Sequence, residues 1–203
     1  MSESSWVGFW NSDHSIYVNA RHLDQHYRDV AGHFLALKPE RTANVLDFGC
    51  GEATHADSIA AAVGQIWLCE AAAQVRDNLR ARFADVGNLS VIAPEDLDRL
   101  ADGSLDLIVA NSVAQYLTPD ELDGWLRTWR RKLTPTGRLV LADIVPPGVS
   151  PLSDALALLR YAARHGFLVA AFAGLVRTAL SPYRKVRANL GITTYTEPDI
   201  VAR

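Results

Sequence analysis

The stretch Val45-Leu46-Asp47-Phe48-Gly49-Cys50-Gly51-Glu52-Ala53-Thr54 decides the fold of this 203-residue chain. Residues 43–48 form a short apolar run bounded by polar residues and glycine, which reads as a buried strand. Gly49-Cys50-Gly51 reads as a turn, and the Ala-rich segment 54–63 as a helix. A G-x-G turn between strand and helix lets the backbone approach a ligand closely and aims helix amides at an anion. Any tight strand-to-helix turn favours glycine, so this turn alone is weak evidence. Three details add to it. Asp47 lies two residues before Gly49, where a carboxylate repels a pyrophosphate but suits a cationic amino-acid ligand. The third glycine of the dinucleotide fingerprint is missing, since Ala53-Thr54 stands there. Glu70 ends the next predicted strand, 19 residues after Gly51, where a carboxylate can accept both hydroxyls of a ribose.

Outward from this stretch the pattern repeats. Residues 66–69, 89–93, 106–110 and 138–145 read as further apolar strands, and 74–86 as a helix. Thr118-Pro119-Asp120-Glu121 is a helix start, with a Thr cap, Pro at the first position and acids in the first turn. That helix is expected to run to about residue 133, and Pro135-Thr136-Gly137 reads as a turn. Upstream, Val18, Leu23, Tyr27, Val30 and Phe34 recur at helical spacing within 16–37, and Lys38-Pro39 ends that helix. Nearly continuous apolar strands alternating with helices predict an α/β fold. Its doubly wound, mostly parallel sheet is covered on both faces and takes ligands at the carboxyl ends of the strands. We expect one domain over 1–203: a helical N-terminal cap (1–40), a binding core (41–147) and a helical C-terminal insertion (148–203).

Composition narrows the function. Apolar residues make up 49% and charged residues 21%, as in a globular chain with a core of its own. The net charge is −3, but it is unevenly spread. Residues 1–150 hold 13 Lys+Arg against 20 Asp+Glu, and residues 151–203 hold 7 against 3. A nucleic-acid partner is therefore not expected. Cys50 and Cys69 lack C-x-x-C spacing, which argues against a zinc knuckle and for a reducing, cytoplasmic setting. Residues 1–9 do not have the charge and hydropathy pattern of a signal peptide. The most apolar stretch without Lys, Arg, Asp or Glu, 165–176, is shorter than the roughly 18–20 residues a bilayer span needs. His22 and His26 are four apart but have no evident third ligand, so no metal is expected.

Asp47-Phe48-Gly49-Cys50-Gly51-Glu52-Ala53 resembles motif I of the class I S-adenosylmethionine-dependent methyltransferases, D/E-x-G-x-G-x-G, with Ala53 replacing the last glycine. The likeness continues over about residues 16–145. Ala101-Asp102-Gly103-Ser104-Leu105-Asp106 looks like the family's P-D-G-S-F-D lead-in to strand four. Leu133-Thr134-Pro135-Thr136-Gly137-Arg138-Leu139 looks like its L-x-P-G-G-x-L turn, with Thr136 for a glycine. The resemblance implies S-adenosylmethionine as cofactor and methyl transfer to a small-molecule acceptor, apolar or lipid-like, by in-line displacement, which is chiefly orientation chemistry. It implies that Gly49, Cys50 and Gly51 shape the cofactor turn and that Asp47 sits near the methionine part. Glu70, followed by Ala71, would hold the ribose, and Asp96 and Leu97 would border the adenine. Asn111 and Ser112 would line the pocket near the methyl group. Tyr17 and Arg21 on the N-terminal helix are candidates for the methionine carboxylate, against a partly solvated helix as the plain reading. Gln115 and Tyr116 are the candidate substrate-facing groups, with a packed core tyrosine as the plain reading of Tyr116. No catalytic base is assigned.

The segment 155–187 has no Asp or Glu and carries Arg160, Arg164, Arg177, Arg184, Lys185 and Arg187 among many apolar residues. A lid over an apolar pocket, a plain packed hairpin turning near His165-Gly166, and peripheral contact with an anionic membrane all stay open. Thr196-Glu197-Pro198-Asp199 reads as another helix start. No candidate for strands six and seven appears in 146–203, so we expect the family's closing hairpin to be absent and the chain to be a shortened version of a longer one. Two rivals remain: a nicotinamide-dependent oxidoreductase, and a catalytically silent methyltransferase-like binding or membrane-surface module.

Overall fold

The computed structural model describes residues 6–11, 17–179 and 191–203. The N-terminal cap consists of α1 (Trp6–Trp10) and α2 (Ala20–Ala36). The core follows as β1 (Asn44–Phe48), α3 (Ala56–Ala60), β2 (Gln65–Cys69), α4 (Ala73–Arg82), β3 (Leu89–Ile92), β4 (Leu105–Asn111), α5 (Pro119–Lys132) and β5 (Leu133–Ala142). Then come α6 (Pro151–His165), α7 (Leu168–Ala179) and a short α8 (Glu197–Val201). Ile16, Arg184, Lys185 and Arg187 lie outside the described residues.

All five strands are parallel, in the order β3-β2-β1-β4-β5. The chain winds outward from β1 in both directions, so the switch point lies between β1 and β4. Successive strand residues point to opposite faces, and here both faces are covered. Val45, Ile66, Leu68, Leu107 and Val109 pack with Phe34, Ile59 and Leu79 from α2, α3 and α4 and with Phe83, which caps α4. Leu46, Phe48, Leu105 and Ile108 pack with Leu122 and Trp129 of α5. This is why the central strands read as unbroken apolar runs rather than as alternation. Among the described residues the sheet has these five strands and no antiparallel hairpin, as expected.

Two segments differ from the sequence reading. The helix after the glycine turn covers only Ala56–Ala60, because the turn itself is longer: Gly51 and Ala53 both take left-handed backbone, at φ +56° and +36°. The predicted turn at 135–137 lies inside β5, which starts at Leu133. Leu105 pairs with Leu133 and Leu107 with Arg138, so the extra residues form an irregularity in the ladder. Gly137 permits it, since a Cβ there would lie 2.8 Å from the Leu105 carbonyl oxygen. At its far end β5 stops at Ala142 rather than 145, where Asp143 turns to φ +52°.

The start of α5 is as read. Thr118 Oγ1 accepts from the Glu121 amide at 3.3 Å while the Glu121 carboxylate accepts from the Thr118 amide at 2.8 Å. The α6–α7 hairpin turns at Gly166, at φ +75°. It packs on α2 through a His22–Phe167 stack with ring centres 5.0 Å apart and through the Tyr161 hydroxyl, which donates to Asp29. The segment after residue 190 returns past the sheet: the Thr193 amide donates to the Gln115 carbonyl and the Tyr195 amide to that of Val145. No helix among the described residues is long and apolar enough to cross a membrane.

Candidate functional site

The carboxyl ends of β1, β2 and β4 open onto one cavity of about 450 Å³. That is within the usual range for a small-molecule pocket. Asp47 and Glu70 reach it from neighbouring strands, since Phe48 is in register with Cys69. Asp47 is buried, and among the described residues no Lys or Arg pairs with it. Burial, with the Glu70 charge beside it, pushes its carboxyl up to about 7.

Glu70 is tied to the turn. Its Oε2 accepts from the Gly51 amide at 3.0 Å and its Oε1 from the Ala72 amide at 2.8 Å. A carboxylate has about four lone-pair sites, so capacity for two more donors remains. The Gly49 and Cys50 amides both donate to the Cys69 carbonyl, at 2.7 and 3.2 Å. The first three amides of the turn are therefore spent inside the protein. The Gly49–Gly51 segment therefore leaves no free amide for a pyrophosphate. This finding and the two carboxylates tell against the nicotinamide reading.

Both glycines are sterically required. A Cβ on Gly49 would lie 2.5 Å from Val113 Cγ2, and one on Gly51 would meet the Tyr27 hydroxyl. Tyr27 accepts from the Glu52 amide at 2.8 Å and so fastens α2 to the turn. Tyr17 is hydrogen-bonded to Tyr27 and lines the cavity; burial pushes its phenol up to about 12. The Cys50 thiol borders the cavity but donates weakly to the Gly51 carbonyl at 3.6 Å. Burial holds it protonated, so it is not a nucleophile.

The far side of the cavity comes from the ends of β4 and β5. Asn111 Nδ2 donates to Ser112 Oγ at 3.2 Å, and Ser112 Oγ donates in turn to Asp143. Ser112 and Asp143 both have left-handed backbone, at φ +57° and +52°, although neither is glycine. Such strain persists where surrounding structure enforces it, often at functional sites. Gln115 is buried and lines the cavity, and its Oε1 has no donor among the described residues. A buried acceptor without a partner is rare and points to a donor from a ligand. Tyr116 stands under α1, with its ring centre 4.7 Å from that of Trp6 and 6.0 Å from that of Trp10. The end of α1 is held across the cavity by Asn11, whose Oδ1 accepts from the Gln74 amide.

The structure thus brings together Tyr17, Asp47, Gly49, Cys50, Gly51, Glu70, Ala71, Asn111, Ser112, Gln115 and Tyr116. Three candidates lie elsewhere. Arg21 points away, against Gly166 at the base of α7. Asp96 bonds back to the Ala93 amide at 3.1 Å and pairs with Arg99, closing its own 3₁₀ turn. Leu97 is wholly buried in the core beside α5, and Pro94 borders the cavity instead. No described residue of the α6–α7 hairpin lines the cavity.

Trp6, Trp10, His26, Tyr27, Trp125 and Asp143 line the cavity without having been singled out as site residues. Asp143 follows the rule that found Asp47 and Glu70, a carboxylate at a strand's carboxyl end. The two tryptophans had a weaker signal, large aromatics in an otherwise polar terminus. The acids facing the cavity are Asp47, Glu70 and Asp143, and among the described residues no Lys or Arg joins them. That set of acceptors suits a ligand carrying an ammonium or sulfonium and vicinal hydroxyls. S-adenosylmethionine has all three, and the residues present fit it.

Comparison with known proteins agrees with this geometry. Residues 46–139 match the family model described as a methyltransferase domain. Among solved structures, phosphoethanolamine N-methyltransferase 1 of Haemonchus contortus, in complex with phosphoethanolamine and S-adenosylhomocysteine, is similar at 21% identity and TM-score 0.56. The match covers 66% of this chain but only 30% of that one. The YcgJ protein of Bacillus subtilis is similar at 14% identity and TM-score 0.56, over 86% of this chain and 88% of its own. A SAM-dependent methyltransferase of Leishmania major is similar at 18% identity and TM-score 0.53, over 68% and 60%. No curated protein sequence matches the chain. At these identities the structural likenesses speak to the fold.

Proposed function

We propose that this chain, whose core is a class I methyltransferase domain, transfers the methyl group of S-adenosylmethionine to a small acceptor with an apolar body. One observation carries the reading: Asp47 and Glu70, on adjacent strand ends, face one cavity that no Lys or Arg lines among the described residues. The cofactor supplies an electrophilic methyl group on a sulfonium. Glu70 receives the ribose hydroxyls with the lone pairs that the Gly51 and Ala72 amides leave free. Asp47 receives the ammonium, and that charge draws its carboxyl down from about 7 to the ionised form.

On the acceptor side, Trp6, Trp10, Tyr116 and Trp125 offer aromatic surface and exclude water. Ser112, Asp143 and Gln115 orient a polar group against that surface. The acids in the wall disfavour phosphate or carboxylate acceptors and favour a neutral or amine-bearing one. Burial lowers the His26 imidazole, so it stands neutral in the cavity wall and can take the proton that an amine or hydroxyl nucleophile sheds after transfer. Alignment of nucleophile, methyl carbon and sulfur accounts for most of the acceleration.

Calorimetric titration with S-adenosylhomocysteine tests the reading, with NADH as control and Asp47→Asn and Glu70→Gln as variants. Binding of the homocysteine compound, weakened at least tenfold in each variant and with no NADH binding, is the expected result. NADH binding, or S-adenosylhomocysteine affinity unchanged in both variants, would overturn it. Incubation with labelled S-adenosylmethionine and a panel of amine, phenol and carboxylate acceptors then tests transfer; binding without turnover on any would favour a silent binding module.

A further inference from the structure

Six of the seven large apolar side chains exposed among the described residues lie between 149 and 176: Val149, Leu156, Leu168, Val169, Phe172 and Val176. Four of them are on α7. Residues 168, 169, 172 and 176 follow helical spacing, so they share one face. Val169 is 85% and Phe172 64% exposed. The opposite face of α7 is the packed one: Ala171 is fully buried with Phe167, and Gly174 meets Val18. No charged residue falls between 166 and 176. A helical stretch that is apolar all round, as 168–176 is, is normally enclosed on every side, and this one is not.

Charge accompanies the hairpin. Arg160 and Arg164, one turn apart on α6, are both exposed. From 155 to 196 the sequence holds six basic residues and no acidic one. At 15 and 12 residues, α6 and α7 are too short to span a bilayer, for which about 20 are needed. Apolar surface beside clustered arginines supplies the two signals that hold a helix at an anionic lipid interface. A symmetric second copy fits less well, because it would bring two cationic flanks together.

We propose that the α6–α7 hairpin docks on an anionic lipid bilayer, with the exposed face of α7 among the acyl chains and the arginines at the headgroups. The inference goes beyond methyl transfer and does not depend on it. The hairpin packs on α2, whose residues Tyr27 and His26 line the cavity, so α2 connects a docked hairpin to the cavity.

Vesicle co-sedimentation of the full chain tests the proposal, using phosphatidylcholine alone and a 4:1 mixture with phosphatidylglycerol, a ratio set on the order of a natural anionic leaflet. Binding to the mixed vesicles and not to phosphatidylcholine is expected, falling as salt is raised. Val169→Asp with Phe172→Asp should weaken partitioning about tenfold or more, because two exposed apolar side chains lose their burial. Arg160→Glu with Arg164→Glu should weaken it on its own. Both pairs are solvent-exposed, so thermal melting and S-adenosylhomocysteine binding should match the wild type, which separates this test from that of the cofactor. Absence of vesicle binding by the wild type, or wild-type partitioning in both variants, would overturn the proposal. So would a stable dimer that the α7 variant dissolves.

Discussion

The Tyr27 hydroxyl occupies the space that a side chain on Gly51 would need, and from there it accepts the Glu52 amide at 2.8 Å. The N-terminal cap and the cofactor turn are therefore one mechanical unit. Tyr27→Phe leaves the Glu52 amide without its partner and should cost about 1–3 kcal/mol of stability. S-adenosylhomocysteine affinity should fall with it. Gly51→Ala should be worse, because it adds a clash and a strained φ of +56°. Urea unfolding and calorimetry of the two variants check this; a Tyr27→Phe variant equal to wild type in both would contradict it.

On the proposed reading, Asp47 should make ligand binding depend on pH. Its folded-state carboxyl is raised from 3.8 to about 7 by burial and by Glu70. The folded protein therefore holds a proton that the unfolded chain releases near pH 4. The stability from this group is full below that point and is lost as pH rises toward about 7. A bound ammonium reverses the preference by favouring the ionised form. The thermal shift produced by S-adenosylhomocysteine should therefore grow between pH 6 and about pH 8. In Asp47→Asn that growth should vanish. Melting curves with and without ligand across this range decide it.

Ala53 sits at φ +36° in the turn, where an alanine pays for a Cβ in left-handed backbone. Ala53→Gly should be neutral to stabilising by up to about 1 kcal/mol, since relief of strain outweighs the added freedom of the unfolded chain. Ala53→Val should destabilise by more than about 1 kcal/mol, being branched where φ is positive and buried besides. Chemical denaturation of the series should rank Gly at or above Ala, and Ala above Val.

Trp6 and Trp10 report on the cavity. S-adenosylhomocysteine should change tryptophan emission by displacing water from their rings. Trp6→Phe with Trp10→Phe should reduce that change to the part that Trp125 reports, while affinity stays within about threefold, because phenyl rings keep most of the apolar contact. An unaltered emission change in the double variant would place the ligand away from α1.

Several of these relationships were legible before any coordinates. The apolar runs around Val45, Ile66 and Ile108 mark buried parallel strands because both faces of a central strand are covered. The Gly49-Cys50-Gly51 turn marks a strand-to-helix crossing because so tight a crossing needs left-handed backbone. Thr118 and Thr196 mark helix starts because capping is local in sequence. Such features depend on neighbours a few residues away, and the chain alone carries them.

Contacts between distant segments were decided only by the tertiary structure. Arg21 shares a helix with Tyr27, yet it turns to Gly166 while Tyr27 faces the cavity, because helix rotation is set by what packs on α2. Asp96 was a plausible adenine contact by position, but its carboxylate closes its own turn. Asp143 gained its place only when β5 came to lie beside β4 and met Ser112. The Gly49, Cys50 and Gly51 amides are taken by Cys69 and Glu70, about twenty residues on, which only the pairing of β1 with β2 brings beside them. Periodicity and capping are properties of a segment, whereas hydrogen-bond partners and side-chain direction belong to whichever segments the fold brings together.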